Sequence, residues 1–283
     1  MSVSGQIDHR RTDLAPAERK VAEIVLSDPE AVAFGTVADL ARRAGTSGAT
    51  VVRLAAKLGY DGFPGLQGAV REEMALRLRP AAERIRRPEP GDALSRTLAV
   101  ELENLTTTLE SVDRSDLAAA VKLLAQAQAQ ARGRVLVLSG DASHGIAITF
   151  ATELSMLRPG VEHVAGSPVR VARVLAQTGP ADVVVVLDFS RYDRWVLDAT
   201  GRASTRGAQV LALTDHRLSP LAGTARLAFT VAAAGAGPFE SHVGMLALIN
   251  VLVAGVADRL RRSATERLDR LEAAWTEAGA LVD

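Results

Sequence analysis

Hydroxyl-bearing and basic side chains recur in one short stretch near the N-terminus, where they could form hydrogen bonds with nucleic acid. The stretch reads TSGATVVRLAAKLGY from residue 46, and a helix over residues 48–58 would turn its leucines toward a core. An arginine on the outer face can pair with a guanine edge or a phosphate, a threonine can meet a base edge or a thymine methyl, and a lysine can meet a phosphate. The predicted DNA-binding residues are Thr46, Ser47, Thr50, Arg53 and Lys57, with Arg42 and Arg43 at the end of the preceding helix.

Two loops in the second half of the chain carry hydroxyl and charged side chains directly after apolar runs. The first reads SGDAS from residue 139, and the second reads DFSRYD from residue 188. A loop that leads from a strand into a helix can hold an anion, because the helix N-terminus offers free N–H groups and the positive end of a dipole. The predicted ligand-binding residues are Ser139, Gly140, Ser143, Asp188, Ser190, Arg191 and Tyr192, with Thr214 after a later strand and Glu240 at the expected start of the next long helix.

The chain offers little for nucleophilic or metal chemistry. It has no cysteine, and its five histidines lack the spacing of metal ligands. His144, His242 and Glu240 could act as acids or bases, but no nucleophile accompanies them, and Glu240 is equally explained as an acidic residue at a helix start. We therefore expect no catalytic residue, no metal and no cofactor.

Short amphipathic helices must position the first set of residues. We predict helices that start near Pro16 and end at Ser27, that run from Thr36 to Ala44, and that run over 48–58. Thr36 with Asp39, and Ser47, are typical N-caps, while Gly45 and Gly59 are typical helix ends. Two short helices joined by a glycine turn indicate a helix-turn-helix, whose second helix enters the major groove.

A composition change divides the chain. Prolines and a glycine interrupt residues 80–92, so we predict a helix-turn-helix domain over 1–79, a linker over 80–92, and an α/β ligand-sensing and oligomerisation domain over 93–283. Helical patterns over 93–131 and 244–278 bracket this second domain. Five apolar runs between them, most separated by helical patterns, predict a parallel sheet covered on both faces, at 134–138, 161–164, 182–188, 209–214 and 226–231.

Composition and charge set weak limits. The chain has 283 residues, 48% of them hydrophobic, and no long apolar run or signal-peptide pattern, so we expect a soluble cytoplasmic protein without membrane contact. The formal net charge is zero. Residues 1–87 hold 14 Lys and Arg against 11 Asp and Glu, a net charge of +3. This asymmetry is too small to indicate DNA binding by itself.

Four runs in the first 63 residues resemble the N-terminal domain of RpiR-type transcriptional regulators. They are Leu14-x-x-x-Glu18-Arg19-Lys20-Val21-Ala22, Val37-Ala38-Asp39-Leu40-Ala41, Ser47-x-Ala49-Thr50-Val51-Val52-Arg53 and Leu58-Gly59-Tyr60-x-Gly62-Phe63. The resemblance implies that residues 95–262 form a sugar isomerase (SIS) domain of the flavodoxin-like kind. Such a domain is a five-stranded parallel sheet that binds phosphosugars at the carboxyl ends of its strands.

Both ligand loops depart from the pattern that the resemblance implies. The first keeps Ser143 but has Ser139 and Asp141 where the family shows Gly-x-Gly-x-Ser, and the second keeps only the second serine of Ser-x-Ser-Gly-x-Thr. Three interpretations of the second loop stay open. It is an altered anion site built on Ser190 and Arg191, a site for an unphosphorylated or cationic ligand built on Asp188 and Asp193, or a loop retained for dimer packing.

The leading hypothesis is a ligand-responsive regulator, a repressor of a metabolic operon, that binds a palindromic operator as a homodimer or homotetramer. Its effector is a small metabolite, with a phosphosugar among the candidates. The alternatives are a phosphosugar isomerase with an accessory helical domain, and a binding module whose helical head contacts protein. The exposed Thr50, Arg53 and Lys57, with no apolar patch expected between them, argue against the last of these.

Overall fold

A computed structural model describes residues 3–78, 81–86, 91–126, 133–189, 191–217 and 219–281. The chain divides into two compact units. One comprises residues 1–92 with 237–239, and the other comprises residues 93–236 and 240–283.

The first unit is helical throughout its described residues, as predicted. Asp28 and Pro29 mark a short helix that the sequence pattern did not predict: the Asp28 carboxylate accepts a hydrogen bond from the amide of Ala31 at 2.8 Å. The helices are α1 (Val3–His9), α2 (Pro16–Ser27), α3 (Pro29–Phe34), α4 (Val37–Arg43), α5 (Gly48–Lys57), α6 (Gly62–Leu78) and α7 (Ala81–Arg86), with a 3-10 turn at Arg11–Asp13.

Predicted caps begin the helices α4 and α5, and buried leucines pack them into the core. Thr36 and Asp39 form a capping box at the start of α4, and the Ser47 hydroxyl accepts a hydrogen bond from the amide of Thr50 at the start of α5. Leu40 and Leu54 are 0% exposed, and burying each of them contributes about 1.5–3 kcal/mol. The glycine turn between the two helices includes Gly45 at a φ of 59°, a conformation that a side chain disfavours.

The second unit is the predicted parallel α/β fold. Its five strands lie in the order β2-β1-β3-β4-β5, and every neighbouring pair is parallel. The elements are α8 (Ala93–Glu110), α9 (Arg114–Gln126), β1 (Val135–Ser139), α10 (His144–Leu157), β2 (Val161–His163), α11 (Pro168–Ala176), β3 (Val183–Asp188), α12 (Arg194–Thr205), β4 (Gln209–Thr214), α13 (Pro220–Thr224), β5 (Leu227–Thr230), α14 (Val243–Arg259) and α15 (Arg261–Ala278).

The two long helical patterns are each interrupted. The pattern over 93–131 forms two helices, because Asp113 leaves the helical path and its carboxylate accepts hydrogen bonds from the amides of Ser115 and Asp116; residues 127–132 lie outside the described chain. The C-terminal pattern breaks at Leu260, and α14 and α15 meet at 103°. Among the helices described, none is singly long and apolar enough to cross a membrane, and only the bent pair α14 and α15 reaches that length and composition together.

The strand register brings the predicted ligand loops to one edge of the sheet. Ser139 at the end of β1 lies beside Leu187, and Asp188 at the end of β3 lies beside Thr214 at the end of β4. Strands β1 and β3 are neighbours, while β2 lies on the other side of β1. This is the point where a doubly wound sheet reverses its strand order and opens a crevice for ligands.

Candidate functional site

Thr50 does not lie on the outer face of α5, and the prediction that it does was wrong. It is 4% exposed, because it lies one helical turn before the buried Leu54. Its hydroxyl group accepts a hydrogen bond from Arg53 Nη2 at 3.0 Å and lies 3.0 Å from the hydroxyl of Ser47. Thr50 therefore orients the exposed Arg53 and Ser47 side chains.

The outer face of α5 is more apolar than predicted. Ala49, Val52, Arg53 and Ala56 are exposed, and Val52 is 43% exposed. Positions 49, 52, 53 and 56 fall on one side of a helix with 3.6 residues per turn, so helical spacing could have found this face. The sequence pattern predicts no apolar patch between Thr50, Arg53 and Lys57, which argued against a head that binds protein. That prediction was wrong. Small apolar side chains beside an arginine also suit a major groove, where thymine methyls lie near guanine edges.

Three of the predicted DNA-binding cations are paired inside the first unit. Lys57 Nζ donates to Glu18 Oε2 at 2.7 Å and to the carbonyl oxygen of Asp13 at 2.9 Å. The hydrogen bond from Lys57 lowers the pKa of Glu18, a carboxyl group that is 5% exposed. Arg42 pairs with Asp39, and Arg43 with Asp28. Arg53 forms no ion pair within the described part of this unit, so its guanidinium is the cation most available to a base or phosphate.

Thr46, the remaining predicted contact, precedes α5 and is partly buried. Its hydroxyl group has no hydrogen-bond partner among the residues described. The hydroxyl oxygen itself is buried, so the structure does not present it to a phosphate, and a DNA contact by Thr46 stays a prediction.

In the second unit, the carboxylate of Asp188 lies directly against the backbone of Gly140. A side-chain carbon at position 140 would lie 2.6 Å from Cγ of Asp188, so only glycine fits there. The carboxylate accepts hydrogen bonds from the amides of Phe189 at 3.0 Å and Asp193 at 2.9 Å. Asp188 thus lies between the loop that follows β1 and the loop that follows β3.

A second carboxylate spans the same two loops. Asp193 Oδ2 accepts a hydrogen bond from the amide of Asp141 at 2.7 Å. Asp193 is the N-cap of α12, yet its side chain accepts no capping hydrogen bond from that helix. The carboxylates of Asp188 and Asp193 therefore satisfy three loop amides that would otherwise be free to bind an anion.

The pKa of Asp188 is raised to about 6, chiefly by burial. Hydrogen bonds from the amides of Asp193 and Phe189 lower this pKa, and the nearby charges of Asp193 and Asp215 raise it. The side chain is 5% exposed. At neutral pH the carboxylate is ionised, and the crevice has a negative charge at its centre.

Two serine hydroxyl groups stand on either side of Gly140. Ser139 is 3% exposed and Ser143 is 0% exposed. Neither hydroxyl group has a hydrogen-bond partner in the described chain, and Ser143 does not cap α10, which it precedes. Buried hydroxyl groups normally have partners, so these two are available to a ligand.

The rest of the predicted loop is only partly described. Ser190 lies outside the described residues. Arg191 is exposed and has a φ of 71°, a left-handed conformation at the position where the resembled motif has glycine. The Tyr192 hydroxyl group donates to Asp215 Oδ1 at 2.6 Å, which joins the β3 loop to the end of β4.

Burial and the charge of Asp215 raise the pKa of Tyr192. The buried Thr214 hydroxyl group donates to the same Asp215 oxygen at 3.4 Å. Tyr192 and Thr214 therefore meet at one carboxylate beside the loop. Ser219 caps α13, since its hydroxyl group accepts a hydrogen bond from the amide of Ala222.

Glu240 and the histidines form no catalytic group. The prediction that Glu240 begins the long helix was wrong, because α14 starts at Val243. His144 and His163 lie with ring centroids 4.8 Å apart, and burial lowers the pKa of His163. His242 packs on Phe189 at 5.1 Å. Within the described chain, no three His, Asp or Glu side chains form a group that could hold a metal ion.

Two family models match the chain, one in each unit. Residues 1–77 match the helix-turn-helix domain of the rpiR family, and residues 127–255 match the SIS domain. The chain belongs to the RpiR family of transcriptional regulators. In this RpiR-type regulator, α4 and α5 are the helix-turn-helix pair, and the crevice around Gly140 lies in the SIS domain.

Relatives and solved structures agree with this assignment. The transcriptional regulator HexR of Pseudomonas aeruginosa is 26% identical over 260 residues, which cover 90% of this chain and 88% of that protein. The sugar isomerase domain of an RpiR transcription factor from Sphaerobacter thermophilus has a TM-score of 0.57 and 29% identity, over 63% of this chain and 97% of that domain. NanR of Vibrio vulnificus, solved with ManNAc-6P, has a TM-score of 0.58 and 22% identity over 98% of this chain and 99% of its own, and supports the fold alone. The predicted family and fold class are confirmed.

Proposed function

We propose that this RpiR-type regulator represses a metabolic operon and changes its affinity for the operator when its SIS domain binds a small sugar-derived metabolite. Two features of the chain support the proposal: an exposed Arg53 on the second helix of the helix-turn-helix, and orphaned hydroxyl groups in the crevice of the SIS domain. The ligand in NanR, ManNAc-6P, and the sugar isomerase domain of the Sphaerobacter protein favour an effector derived from a sugar.

The DNA half of the proposal predicts a specific defect. Arg53→Ala should remove a base or phosphate contact and weaken binding to the upstream intergenic DNA by about 1–3 kcal/mol. Lys122→Ala, which removes an exposed cation on α9 of the other unit, is the matched control and should leave binding unchanged. A fluorescence-anisotropy titration with labelled DNA measures both, and equal binding by wild type and Arg53→Ala would overturn the assignment of α5.

We propose that the active species is a homodimer on a palindromic site, because one helix-turn-helix reads one half-site. The exposed leucines Leu94, Leu98 and Leu102 on α8 supply apolar surface that association would bury. Light scattering of the protein alone and on operator DNA tests this. A monomer on DNA would refute the dimer, and a stable tetramer would replace it by the larger assembly.

We also propose that the chain does not catalyse phosphosugar isomerisation. The two HexR relatives, which match 90% and 98% of this chain, are named transcriptional regulators. The loop after β3 holds two aspartates where the resembled phosphosugar motif has serine and threonine. A proton-exchange assay on aldose and ketose phosphates should show no turnover. Turnover that is lost in Glu240→Gln would establish the isomerase instead.

A further inference from the structure

The loop after β3 has its backbone donors occupied by the chain's own carboxylates. An anion site in a loop of this kind works by offering free amides to the ligand. Here the amides of Phe189 and Asp193 donate to Asp188, and the amide of Asp141 donates to Asp193. A phosphate at this place would lose those donors and meet two negative charges.

The same carboxylates keep unused acceptor capacity. Each carboxylate oxygen has two lone pairs, and each oxygen of Asp188 accepts one backbone hydrogen bond from the described residues. Asp193 uses Oδ2 for the amide of Asp141, and its Oδ1 accepts no hydrogen bond from the described residues. A ligand that donates hydrogen bonds can therefore be held by both side chains without displacing the loop.

Two orphaned hydroxyl groups belong to the β1 loop, which Asp188 contacts at Gly140, and they are a separate observation from the aspartates. Ser139 and Ser143 lie on either side of Gly140, against which Asp188 packs, and both are more than nine-tenths buried without a partner. A hydroxyl group can accept and donate, so the pair suits the hydroxyl groups of a polyol. Arg191 has a left-handed backbone conformation and is exposed, and within the described chain it pairs with neither aspartate.

We propose that the crevice between the β1 and β3 loops binds an unphosphorylated sugar derivative, whose hydroxyl or ammonium groups donate to Asp188 and Asp193 and whose other hydroxyls meet Ser139 and Ser143. This proposal rests on the proposed function, the sensing of a sugar-derived metabolite. It names the charge class of that effector: neutral or cationic, with no phosphate at the β3 loop.

The test compares one sugar in three charge states. Glucose, galactose and mannose are each titrated as the free sugar, the 2-amino sugar and the 6-phosphate by calorimetry, at a pH above the pKa of Asp188. In the best-binding series, the free or amino sugar should bind at least about tenfold more tightly than the phosphate. Asp188→Asn and Asp193→Asn should each weaken binding of the amino sugar by about tenfold, because a charge-assisted hydrogen bond becomes a neutral one.

Two further variants sharpen the comparison. Asp198→Asn removes an exposed carboxylate from α12 and should change none of the affinities. The triple variant Asp188→Ser, Arg191→Gly, Asp193→Thr restores the Ser-x-Ser-Gly-x-Thr pattern, frees the loop amides, and should gain binding of the sugar 6-phosphate. Asp193 is only half buried, so its variant covers the case in which Asp188→Asn fails to fold.

The outcomes separate this inference from the function on which it rests. A 6-phosphate that binds wild type as tightly as the free and amino sugars, with an affinity that Asp188→Asn and Asp193→Asn leave unchanged, overturns the inference and leaves sugar sensing intact. If no sugar binds and none alters DNA affinity, while Arg53→Ala still weakens operator binding as expected, then sugar sensing itself is refuted and the inference falls with it.

Discussion

The buried carboxylate of Asp188 gives the sharpest energetic prediction for the SIS domain. Its pKa is about 6 in the folded chain and 3.8 as the ordinary value. A difference of about two pH units corresponds to about 3 kcal/mol at 1.4 kcal/mol per unit. Because the folded state holds this proton more tightly than the unfolded state, ionisation of Asp188 reduces stability.

The direction of the Asp188 pKa shift fixes the pH range in which ionisation of this group destabilises the fold. Below pH 3.8 the carboxyl group is protonated in both states and carries no penalty. As pH rises toward about 6, the unfolded chain releases the proton first, and the penalty grows to its full value above that pH. Asp188→Asn lacks this ionisation, so its free energy of unfolding should rise relative to wild type by about 3 kcal/mol across the window.

A constant offset accompanies that change. Asparagine has one acceptor oxygen for the two amides that Asp188 serves, so one amide loses its partner at a cost of about 1–3 kcal/mol at every pH. The pH dependence of the difference between the two proteins is therefore the diagnostic quantity. Its absolute value at one pH decides nothing.

Urea unfolding followed by tryptophan fluorescence measures this quantity in the right place. Both tryptophans, Trp195 and Trp275, belong to the second unit, so the signal reports the SIS domain. Asp198→Asn, an exposed carboxylate on the same helix as Trp195, is the control and should track wild type at every pH. A difference between wild type and Asp188→Asn that stays flat from acid to neutral pH would refute the assigned burial of this charge.

Three further predictions concern the rest of the chain. Lys57→Met leaves the buried Glu18 without its cation and should destabilise the first unit by about 1–3 kcal/mol above pH 4.5. This loss of stability should shrink as acid protonates Glu18 below its lowered pKa. Helical circular dichroism in urea measures the loss, and a loss that does not change with pH would contradict the pairing. Arg158 is 1% exposed and donates to the carbonyl oxygens of Leu124, Gly133 and Pro159, so Arg158→Met should cost about 3–5 kcal/mol by tryptophan fluorescence and Arg158→Lys less. Equal losses would show that a retained positive charge does not stabilise this site. Replacing thymine by uracil in the operator should weaken DNA binding by the wild type about twofold to tenfold and leave DNA binding by Val52→Ser unaffected. An equal loss in both proteins would show that the exposed Val52 meets no thymine methyl.

Local features of the fold follow from residue types alone. The caps at Thr36, Ser47 and Ser219 are all present, because a cap depends on a side chain and an amide two or three residues away. The five strands follow from continuous apolar runs, since a sheet covered on both faces admits no polar alternation. The burial of Thr50 was equally within reach of helical spacing, which places it above Leu54.

The interior of the ligand crevice could not be predicted from the sequence. Asp193 and the amide of Asp141 are 52 residues apart in the chain, and Asp188 meets Gly140 across neighbouring strands. Which donors a carboxylate accepts there depends on strand register and loop path, which no local pattern encodes. The sequence therefore leaves the three interpretations of the second loop open, and the hydrogen bonds from the loop amides to Asp188 and Asp193 are what favour a ligand that donates hydrogen bonds.

Binding of the protein to its own upstream intergenic DNA tests the central claim most directly. In an anisotropy titration over a range of salt concentrations, we expect tight, sequence-selective binding that weakens steeply with salt and loses its selectivity in Arg53→Ala. Addition of the metabolite that binds the SIS domain should shift the DNA affinity. Equal affinity for upstream and unrelated DNA, or an unchanged preference in Arg53→Ala, would contradict the account.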